Sequence, residues 1–295
     1  MAVASPEIAG IRHSDVDAAG LRMHVVEAGP PDGDPVLVLH GWPQHWYQWR
    51  HQIPALAEAG YRVIVPDLRG FGQSEAPPDG YDKENMATDV LNLMDAMGLE
   101  RVKLLAHDWG GWIGFILCLR VPERIEKYVA LNISHLWAKA DPRALLNIWR
   151  LWYMVLIASP FGARLLRNRP GFLRRMIQSS PNPQSWTDED LDAFTRPLQE
   201  PARANASVQL YRTFLTKEFA PVASGRYHDT RLTVPTRMLF GMDDFAIPKS
   251  FFRRDTKEFA DDFTIEFIPD TGHFIGEERP ELVNDRTLEF FGADA

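Results

Sequence analysis

The segment 102–121 combines residue types that could carry out covalent chemistry. An apolar run ends at His107-Asp108-Trp109, and a helical pattern that opens with two glycines follows at once. This order predicts a strand, a one-residue turn and a helix, and the turn lifts the Asp108 side chain into a cleft. A carboxylate with a reference pKa of about 4 is ionised at neutral pH, so Asp108 could act as a nucleophile without a base to activate it.

The chemistry of a carboxylate restricts the bond that Asp108 could attack. A turn of this kind usually carries serine, which attacks acyl carbons. A carboxylate at an acyl carbon would form an anhydride, whereas at a saturated carbon with a leaving group it forms an ordinary ester. Water must then cleave that ester, which requires a general base and an oxyanion hole. The alternative role of Asp108 is to cap the following helix, where a negative charge suits the helix N-terminus.

Two polar residues that follow later predicted strands could complete a catalytic triad. Asp244 comes after the predicted strand 235–240, and His273 comes after the predicted strand 264–268. The order nucleophile, acid, histidine predicts that Asp244 orients His273 and that His273 activates water. Asp243 is the rival for the orienting role.

Backbone N–H groups after two predicted strands are candidates for the oxyanion hole. One belongs to Trp109, directly after Asp108, and the other to Trp42 in the segment His40-Gly-Trp-Pro43. Gly41 permits a sharp turn there, and Pro43 fixes the backbone beyond it. Structural hydrogen bonding, not catalysis, is the predicted role of three nearby histidines: His40, His45 and His107.

Strand-like runs alternate with helical patterns, which predicts a mostly parallel α/β sheet with flanking helices. The strands are expected at residues 21–28, 35–39, 62–66, 102–106, 127–133, 235–240 and 264–268. Between residues 133 and 232 the pattern is helical instead, at 142–158, 161–178, 187–198 and 202–217. We therefore predict a core domain of residues 1–133 and 232–295 and an inserted helical cap domain of residues 134–231.

Composition favours a cytoplasmic enzyme. The 295 residues carry a net charge of −8, which argues against nucleic acids and membranes as partners. The single cysteine excludes a disulfide framework and a cysteine-rich metal site, and the N-terminal residues lack the pattern of a secretion signal. We expect no metal and no cofactor, and a monomer or a homodimer.

Four motifs together resemble the α/β-hydrolase fold family, and specifically its epoxide hydrolase branch. They are His40-Gly-Trp-Pro, Asp67-Leu-Arg-Gly-Phe-Gly-Gln-Ser74, His107-Asp-Trp-Gly-Gly and Gly272-His273, and the similarity spans residues 20 to 290. The resemblance implies an aspartate nucleophile, as in the related haloalkane and fluoroacetate dehalogenases, and a cis peptide bond before Pro43. Ala106 departs from the family pattern, in which glycine is more usual at that position.

The leaving group distinguishes these chemistries. Opening an epoxide creates an alkoxide, whose conjugate acid has a pKa of roughly 15–16, so an acid such as tyrosine with a pKa of about 10 is well suited. A halide needs only weak N–H donors. Tyr153 and Tyr211 resemble the two lid tyrosines of epoxide hydrolases, and the alternative is that both are packing residues on amphipathic helices.

We therefore predict hydrolysis of an apolar epoxide by water to a vicinal diol, through a covalent alkyl-enzyme ester on Asp108. Many haloalkane dehalogenases carry asparagine where Trp42 stands. Fluoroacetate dehalogenases need arginines just after the nucleophile to hold a carboxylate, and here Trp109, Trp112 and Phe115 occupy that region. A haloalkane dehalogenase and a non-catalytic binder of small ligands remain the alternatives. The predicted walls of the substrate pocket are Trp42, Trp112, Phe245, Ile247 and Phe274.

Overall fold

A computed structural model describes residues 6, 8–137, 148–247, 252 and 256–293. Within these residues, eight strands form one sheet in the order β1-β2-β4-β3-β5-β6-β7-β8. The strands are β1 (Arg12–Ala18), β2 (Leu21–Ala28), β3 (Pro35–Leu39), β4 (Arg62–Pro66), β5 (Val102–His107), β6 (Ile125–Leu131), β7 (Thr236–Gly241) and β8 (Phe263–Ile268).

The sheet is mostly parallel, as predicted. The strands β3 to β8 all run in one direction, while β2 pairs antiparallel with both β1 and β4. The seven predicted strands are confirmed to within two residues at either end. The first strand, β1, was not predicted, because it lies at the edge of the sheet and five of its seven residues are polar, which leaves no apolar alternation to detect.

Both faces of the sheet are buried. In β3, Leu37 and Leu39 face one apolar cluster, and Val36 and Val38 face the other. The first cluster is covered by α2 (Lys83–Ala96) and α3 (Asp108–Arg120), the second by α1 (Gln52–Glu58) and the C-terminal helix α11 (Pro280–Gly292). Burial on both faces explains why these strands are continuous apolar runs.

The described residues between β6 and β7 form helices and turns. The helices are α4 (Trp152–Ala158), α5 (Gly162–Asn168), α6 (Pro170–Ile177), α7 (Asp188–Thr195), α8 (Pro201–Thr213) and α9 (Phe219–Ala223), and a short α10 (Ile275–Glu278) follows β8. No helix in the described ranges is both long enough and apolar enough to span a bilayer.

Several predicted helix boundaries in this region are wrong. The predicted helix 161–178 is two helices, because Pro170 cannot continue α5 and instead begins α6. The predicted helix 202–217 ends as α8 at Thr213 and continues as a π-helical turn, Phe214–Glu218. Of the predicted helix 142–158, residues 142–147 lie outside the described residues, and the remainder is a 3₁₀ turn followed by α4.

Candidate active site

Asp108 lies at the sharp junction between β5 and α3. Its φ of 50° is in the left-handed region, which side chains rarely adopt. Two glycines make room for the junction: a Cβ at Gly110 would lie 2.4 Å from the His40 carbonyl oxygen, and one at Gly41 would lie 2.3 Å from Cβ of Asp108. Gly41 is therefore needed because the Asp108 side chain lies directly against it. The expected reason for this glycine was a sharp turn of the backbone. The peptide bond between Trp42 and Pro43 is cis, as the resemblance implied.

The two carboxylate oxygens of Asp108 have different neighbours. The backbone N–H of Trp42 donates to Oδ1 at 2.8 Å, and the backbone N–H of Trp109 also hydrogen-bonds the carboxylate. Oδ2 lies 3.6 Å from Nε2 of His273. Burial alone would raise the pKa of Asp108, but His273, together with His107 and the Trp109 N–H, outweighs burial and holds this pKa below its ordinary value. Asp108 is thus an ionised carboxylate that accepts hydrogen bonds from two backbone N–H groups.

His273 lies between two carboxylates. Its Nδ1 is 2.8 Å from Oδ2 of Asp244, on the side opposite Asp108. The other oxygen of Asp244 accepts hydrogen bonds from the backbone N–H groups of Ala246 and Ile247 at 2.6 and 2.8 Å. Asp243 is exposed to solvent, whereas Asp244 is buried, so the geometry favours Asp244 for orienting His273.

The charge of His273 depends on these neighbours. Burial would lower its pKa, but the carboxylates of Asp244 and Asp108 together raise it to about 10. At neutral pH the resting residue is therefore an imidazolium and cannot accept a proton. It can become a base only when the charge on Asp108 is removed.

Tyr153 and Tyr211 face Asp108 from α4 and α8. Their ring centroids are 5.9 Å apart, and the Tyr211 ring packs edge-on against both Trp42, at 5.1 Å, and Trp109, at 5.8 Å. Burial raises the pKa of both tyrosines well above the ordinary value, and the negative charge of Asp108 adds to that shift. Both phenols are therefore protonated, and both lie within the field of the carboxylate.

The predicted pocket walls do not all lie together. Phe245 packs against Tyr153 at 6.4 Å and His273 at 5.6 Å, with Ile247 two residues beyond it, and Trp112 packs against Trp109 at 6.1 Å. Phe274 lies instead behind His273, 1% exposed, in the apolar cluster that contains Trp186. Phe274 also packs against Phe245 at 6.3 Å, but no ring contact joins it to Tyr153 or Tyr211 among the described residues, so its role as a pocket wall stays a prediction.

The three histidines predicted to be structural make hydrogen bonds to the backbone. His40 contacts the Gly41 carbonyl through Nδ1 and accepts from the Leu68 N–H through Nε2, each at 2.9 Å. Nε2 of His45 bonds to the Ala193 carbonyl, and Nε2 of His107 to the His273 carbonyl. Burial lowers the pKa of His40 to about 4, so it is neutral.

The sequence analysis missed Asn132, a polar residue in the site. Its amide nitrogen donates to Oδ2 of Asp244 at 2.8 Å, and its amide oxygen accepts from the Gly241 N–H at 3.1 Å. Its position directly after β6, at the same sheet edge as Asp108, was the available signal. Asn132 fixes the orientation of the Asp244 carboxylate.

A buried lysine below Trp109 was also missed. Nζ of Lys83 lies 4.4 Å from the centre of the Trp109 ring, bonds to Glu218 at 2.8 Å and donates to the Leu210 carbonyl at 3.0 Å. Because Lys83 is in α2 and Glu218 follows α8, this ion pair joins the sheet domain to the helices that carry Tyr211. Lys83 was missed because the sequence Asp82-Lys-Glu84 is typical of a solvated helix start.

We expect Asp244→Asn to reduce turnover by about 10⁴-fold, since an amide cannot balance the charge of His273 or hold its tautomer. Steady-state rates measure the loss. The matched control is Asp243→Asn, which makes the same change one residue away and should stay within a factor of two to three of the parent, an order-of-magnitude expectation for an exposed site. A larger loss in the Asp243 variant would contradict the assignment.

The described part of the chain contains no group of three or more His, Cys, Asp or Glu side chains placed to hold a metal ion. The site instead brings together a carboxylate that accepts two backbone N–H groups, a histidine held by a second carboxylate, and two phenols. Together these groups can open a bond at saturated carbon and then hydrolyse the resulting ester.

Comparison with known proteins identifies the family. Residues 34–280 match the family model for the alpha/beta hydrolase fold. The chain is 33% identical to a soluble epoxide hydrolase of Corynebacterium sp. (strain C12), over 95% of this chain and 97% of that protein. It is 30% identical to an AB hydrolase superfamily protein of Bacillus subtilis, over 95% and 98% of the two chains. The solved structure of the epoxide hydrolase CorEH superposes with a TM-score of 0.83 at 32% identity, over 96% and 99% of the two chains.

Proposed function

The chain belongs to the α/β-hydrolase fold family, in its epoxide hydrolase branch, and from this we propose that it hydrolyses an apolar epoxide to a vicinal diol. One observation carries the choice of epoxide: two buried, protonated phenols face the nucleophilic carboxylate. Two of the proteins it resembles, the Corynebacterium enzyme and CorEH, are epoxide hydrolases, and the site supplies the groups that this reaction requires.

In the first step, Oδ2 or Oδ1 of Asp108 attacks an epoxide carbon. A carbon–oxygen bond of the ring breaks as the ester bond forms, and the electron pair stays on the departing oxygen. Tyr153 and Tyr211 donate hydrogen bonds to that oxygen, and one of them transfers its proton. Burial, which is the main cause of both raised tyrosine pKa values, remains in the ester, but the smaller contribution from the charge of Asp108 disappears, so the phenols become stronger acids as the alkoxide forms.

In the second step, His273 changes from an acid to a base. The ester removes the negative charge that helped to raise the pKa of His273 to about 10, and this pKa falls. The proton of His273 passes through solvent to the phenolate that the first step produced. This transfer restores the tyrosine and leaves a neutral imidazole held by Asp244. That imidazole takes a proton from water as the water attacks the ester carbonyl, while the N–H groups of Trp42 and Trp109 hold the oxyanion. The tetrahedral intermediate then collapses by breaking the bond between its carbon and the diol oxygen, and the proton of the new carboxyl group passes to that oxygen. This releases the diol and restores the carboxylate of Asp108.

We propose that residues 134–231 act as a cap over the substrate, closed against the core of residues 1–133 and 232–295. Tyr153 and Tyr211 belong to the cap, and its described helices carry both phenols toward Asp108. Trp42, Trp112, Phe245 and Ile247 are proposed walls of an apolar pocket. A cytoplasmic location suits an enzyme whose one cysteine, Cys118, is buried and unpaired.

The contacts of the two indoles argue against haloalkane dehalogenation. The indole N–H of Trp42 donates to the Ser207 hydroxyl at 2.9 Å, and the Trp109 side chain hydrogen-bonds the Tyr211 hydroxyl. Indole has a single N–H donor, so neither is free to hold a halide. A parallel assay with styrene oxide and a short bromoalkane tests the proposal. We expect diol from the first and no bromide from the second; bromide release without diol formation would establish a dehalogenase.

The pair of tyrosines should determine the rate of ring opening. We expect Tyr153→Phe and Tyr211→Phe each to slow ester formation by about a hundredfold, and the double variant by about 10⁴-fold, since the alkoxide loses its acids. Stopped-flow fluorescence under single-turnover conditions measures this step directly. The same change outside the site, Tyr61→Phe, is the control. Full activity in the double variant would remove both tyrosines from the mechanism.

The two steps should respond differently to pH. Ring opening needs ionised Asp108, and the lowered pKa of this carboxyl keeps it charged in acid, so the rate of ring opening should persist as the pH falls. Ester hydrolysis needs neutral His273. As the pH falls, the imidazole becomes protonated first, so ester hydrolysis should slow at a higher pH than ring opening does. Pre-steady-state rates across the pH range separate the two. Loss of both rates at one common pH would contradict the proposed change in His273.

A further inference from the structure

The charge of this chain is unevenly distributed. Residues 142–187 contain seven arginines and no aspartate, glutamate or lysine, in a chain whose net charge is −8. The described part of this segment includes the helices α4, α5 and α6. This region therefore carries a local positive charge that the net charge conceals.

The outer side of the same region exposes large apolar side chains. Trp149 is 68% exposed, Trp152 53%, Val155 61% and Phe161 71%. Trp149, Trp152 and Val155 follow one another at intervals of three residues, which places them on one side of the helical turns. Several large exposed apolar side chains on one side of a helical segment are typical of an interaction site.

Basic side chains border this apolar surface. The helices α4 and α5 both pack against α8, so their outer sides face away from it together. Arg164 and Arg167 are exposed on α5, three residues apart, and neither forms an ion pair with any residue that the structure describes. Arg174 on α6 differs, because it pairs with Asp188 and Asp192.

We propose that this surface docks on an anionic lipid bilayer. We call it the arginine–tryptophan face and define it by Trp149, Trp152, Val155, Phe161, Arg164 and Arg167. Tryptophan and phenylalanine are stable at the boundary between head groups and acyl chains, and each arginine near the surface is attracted by anionic lipid. The net charge of the chain predicted that it avoids membranes. Because the Debye length is about 8 Å, however, a bilayer interacts mainly with the charges nearest to it.

A second copy of the chain fits this face less well. A two-fold symmetric contact would bring the same surface of each copy together and set arginine against arginine. No acidic residue of the segment 142–187 is present to balance them. An anionic bilayer supplies both the apolar phase and the opposite charge.

Docking by this face would bring the proposed cap to the membrane. Trp152 faces outward from α4, while its neighbour Tyr153 is buried toward Asp108. Apolar epoxides partition into the bilayer, so substrate would be concentrated beside the cap. Only this consequence rests on the proposed function; lipid docking itself is measured without turnover.

Vesicle co-sedimentation tests the docking. The probes are vesicles of phosphatidylcholine alone and of phosphatidylcholine mixed with phosphatidylglycerol. We expect binding to the mixed vesicles at low ionic strength and its loss when salt is raised to about 1 M, where the Debye length shrinks to about 3 Å. Equal binding to both vesicles, or no binding to the mixed ones, would overturn the proposal.

Variants assign the binding to the face. Arg164→Gln with Arg167→Gln should weaken partitioning into mixed vesicles by about thirtyfold, from the attraction of two arginines. The matched control is Arg12→Gln with Arg101→Gln, two exposed arginines outside the segment, and it should bind like the parent. Trp152→Ser with Phe161→Ser tests the apolar part, with Phe267→Ser as its control, and circular dichroism checks folding. Equal loss in control and face variants would overturn the assignment. The proposal would also be overturned if the protein did not bind vesicles and instead formed a dimer that Trp152→Ser dissociates.

Discussion

Asp108→Asn should reduce epoxide turnover by about 10⁶-fold, the loss found when the nucleophile of a catalytic triad is removed. An amide oxygen is a poor nucleophile, so no ester forms and the first step fails. Asparagine is the appropriate replacement because it tolerates the left-handed backbone at position 108, where φ is 50°. It can also still accept a hydrogen bond from the Trp42 N–H. The loss is measured as diol formation at saturating styrene oxide.

Two measurements on this variant separate catalysis from folding: thermal unfolding shows that the protein is folded, and the pKa of His273 reports the loss of the charge at position 108. The change removes the negative charge that lies 3.6 Å from His273, so the pKa of His273 should fall from about 10. A titration of the imidazole by NMR should show this downward shift while the protein remains folded. An Asp108→Asn protein that is folded and retains more than about a hundredth of the activity would exclude Asp108 as the nucleophile, because the other groups cannot supply so much.

His273→Gln should reduce steady-state turnover to a similar extent, about 10⁶-fold, but through the other step. Glutamine cannot take the proton from water, so the ester on Asp108 should form and persist. The protein mass should therefore increase by the mass of the intact epoxide, with no loss of a leaving group. After a bromoalkane, an increase equal to the substrate minus hydrogen bromide would instead indicate dehalogenation.

The same substitution at His51, outside the site, is the matched control for His273→Gln and should neither accumulate an adduct nor lose activity. Peptide mapping should place the adduct of the His273 variant at Asp108. An adduct on Asp244, or a variant that turns over without an adduct, would contradict the assigned roles.

The proximity of the three triad candidates could be predicted from their positions along the chain. Asp108 and Asp244 follow buried apolar strands, His273 follows the edge strand β8, and parallel strands bring their carboxyl ends to one edge of the sheet. The proximity of the three residues therefore follows from detecting these strands. The mostly parallel sheet was predictable because its central strands, β3 to β7, are buried apolar runs.

Contacts between distant segments could not be predicted in this way. Lys83 and Glu218 are 135 residues apart, and nothing local distinguishes this buried pair from solvated charges. Phe274 was expected to line the pocket, and its contact with Trp186, 88 residues away in the chain, could not be predicted from the sequence. The expectation about membranes used a sum of charges, which contains no information about where the arginines lie.

A single turnover in heavy-oxygen water tests the covalent ester most directly. With enzyme in excess over epoxide, the attacking oxygen of the diol comes from the carboxylate of Asp108, and the solvent oxygen enters that carboxylate. We therefore expect unlabelled diol and a peptide that carries heavy oxygen at Asp108, read by mass spectrometry. Labelled diol in the first turnover, with an unlabelled Asp108, would show direct attack by water and contradict the central claim.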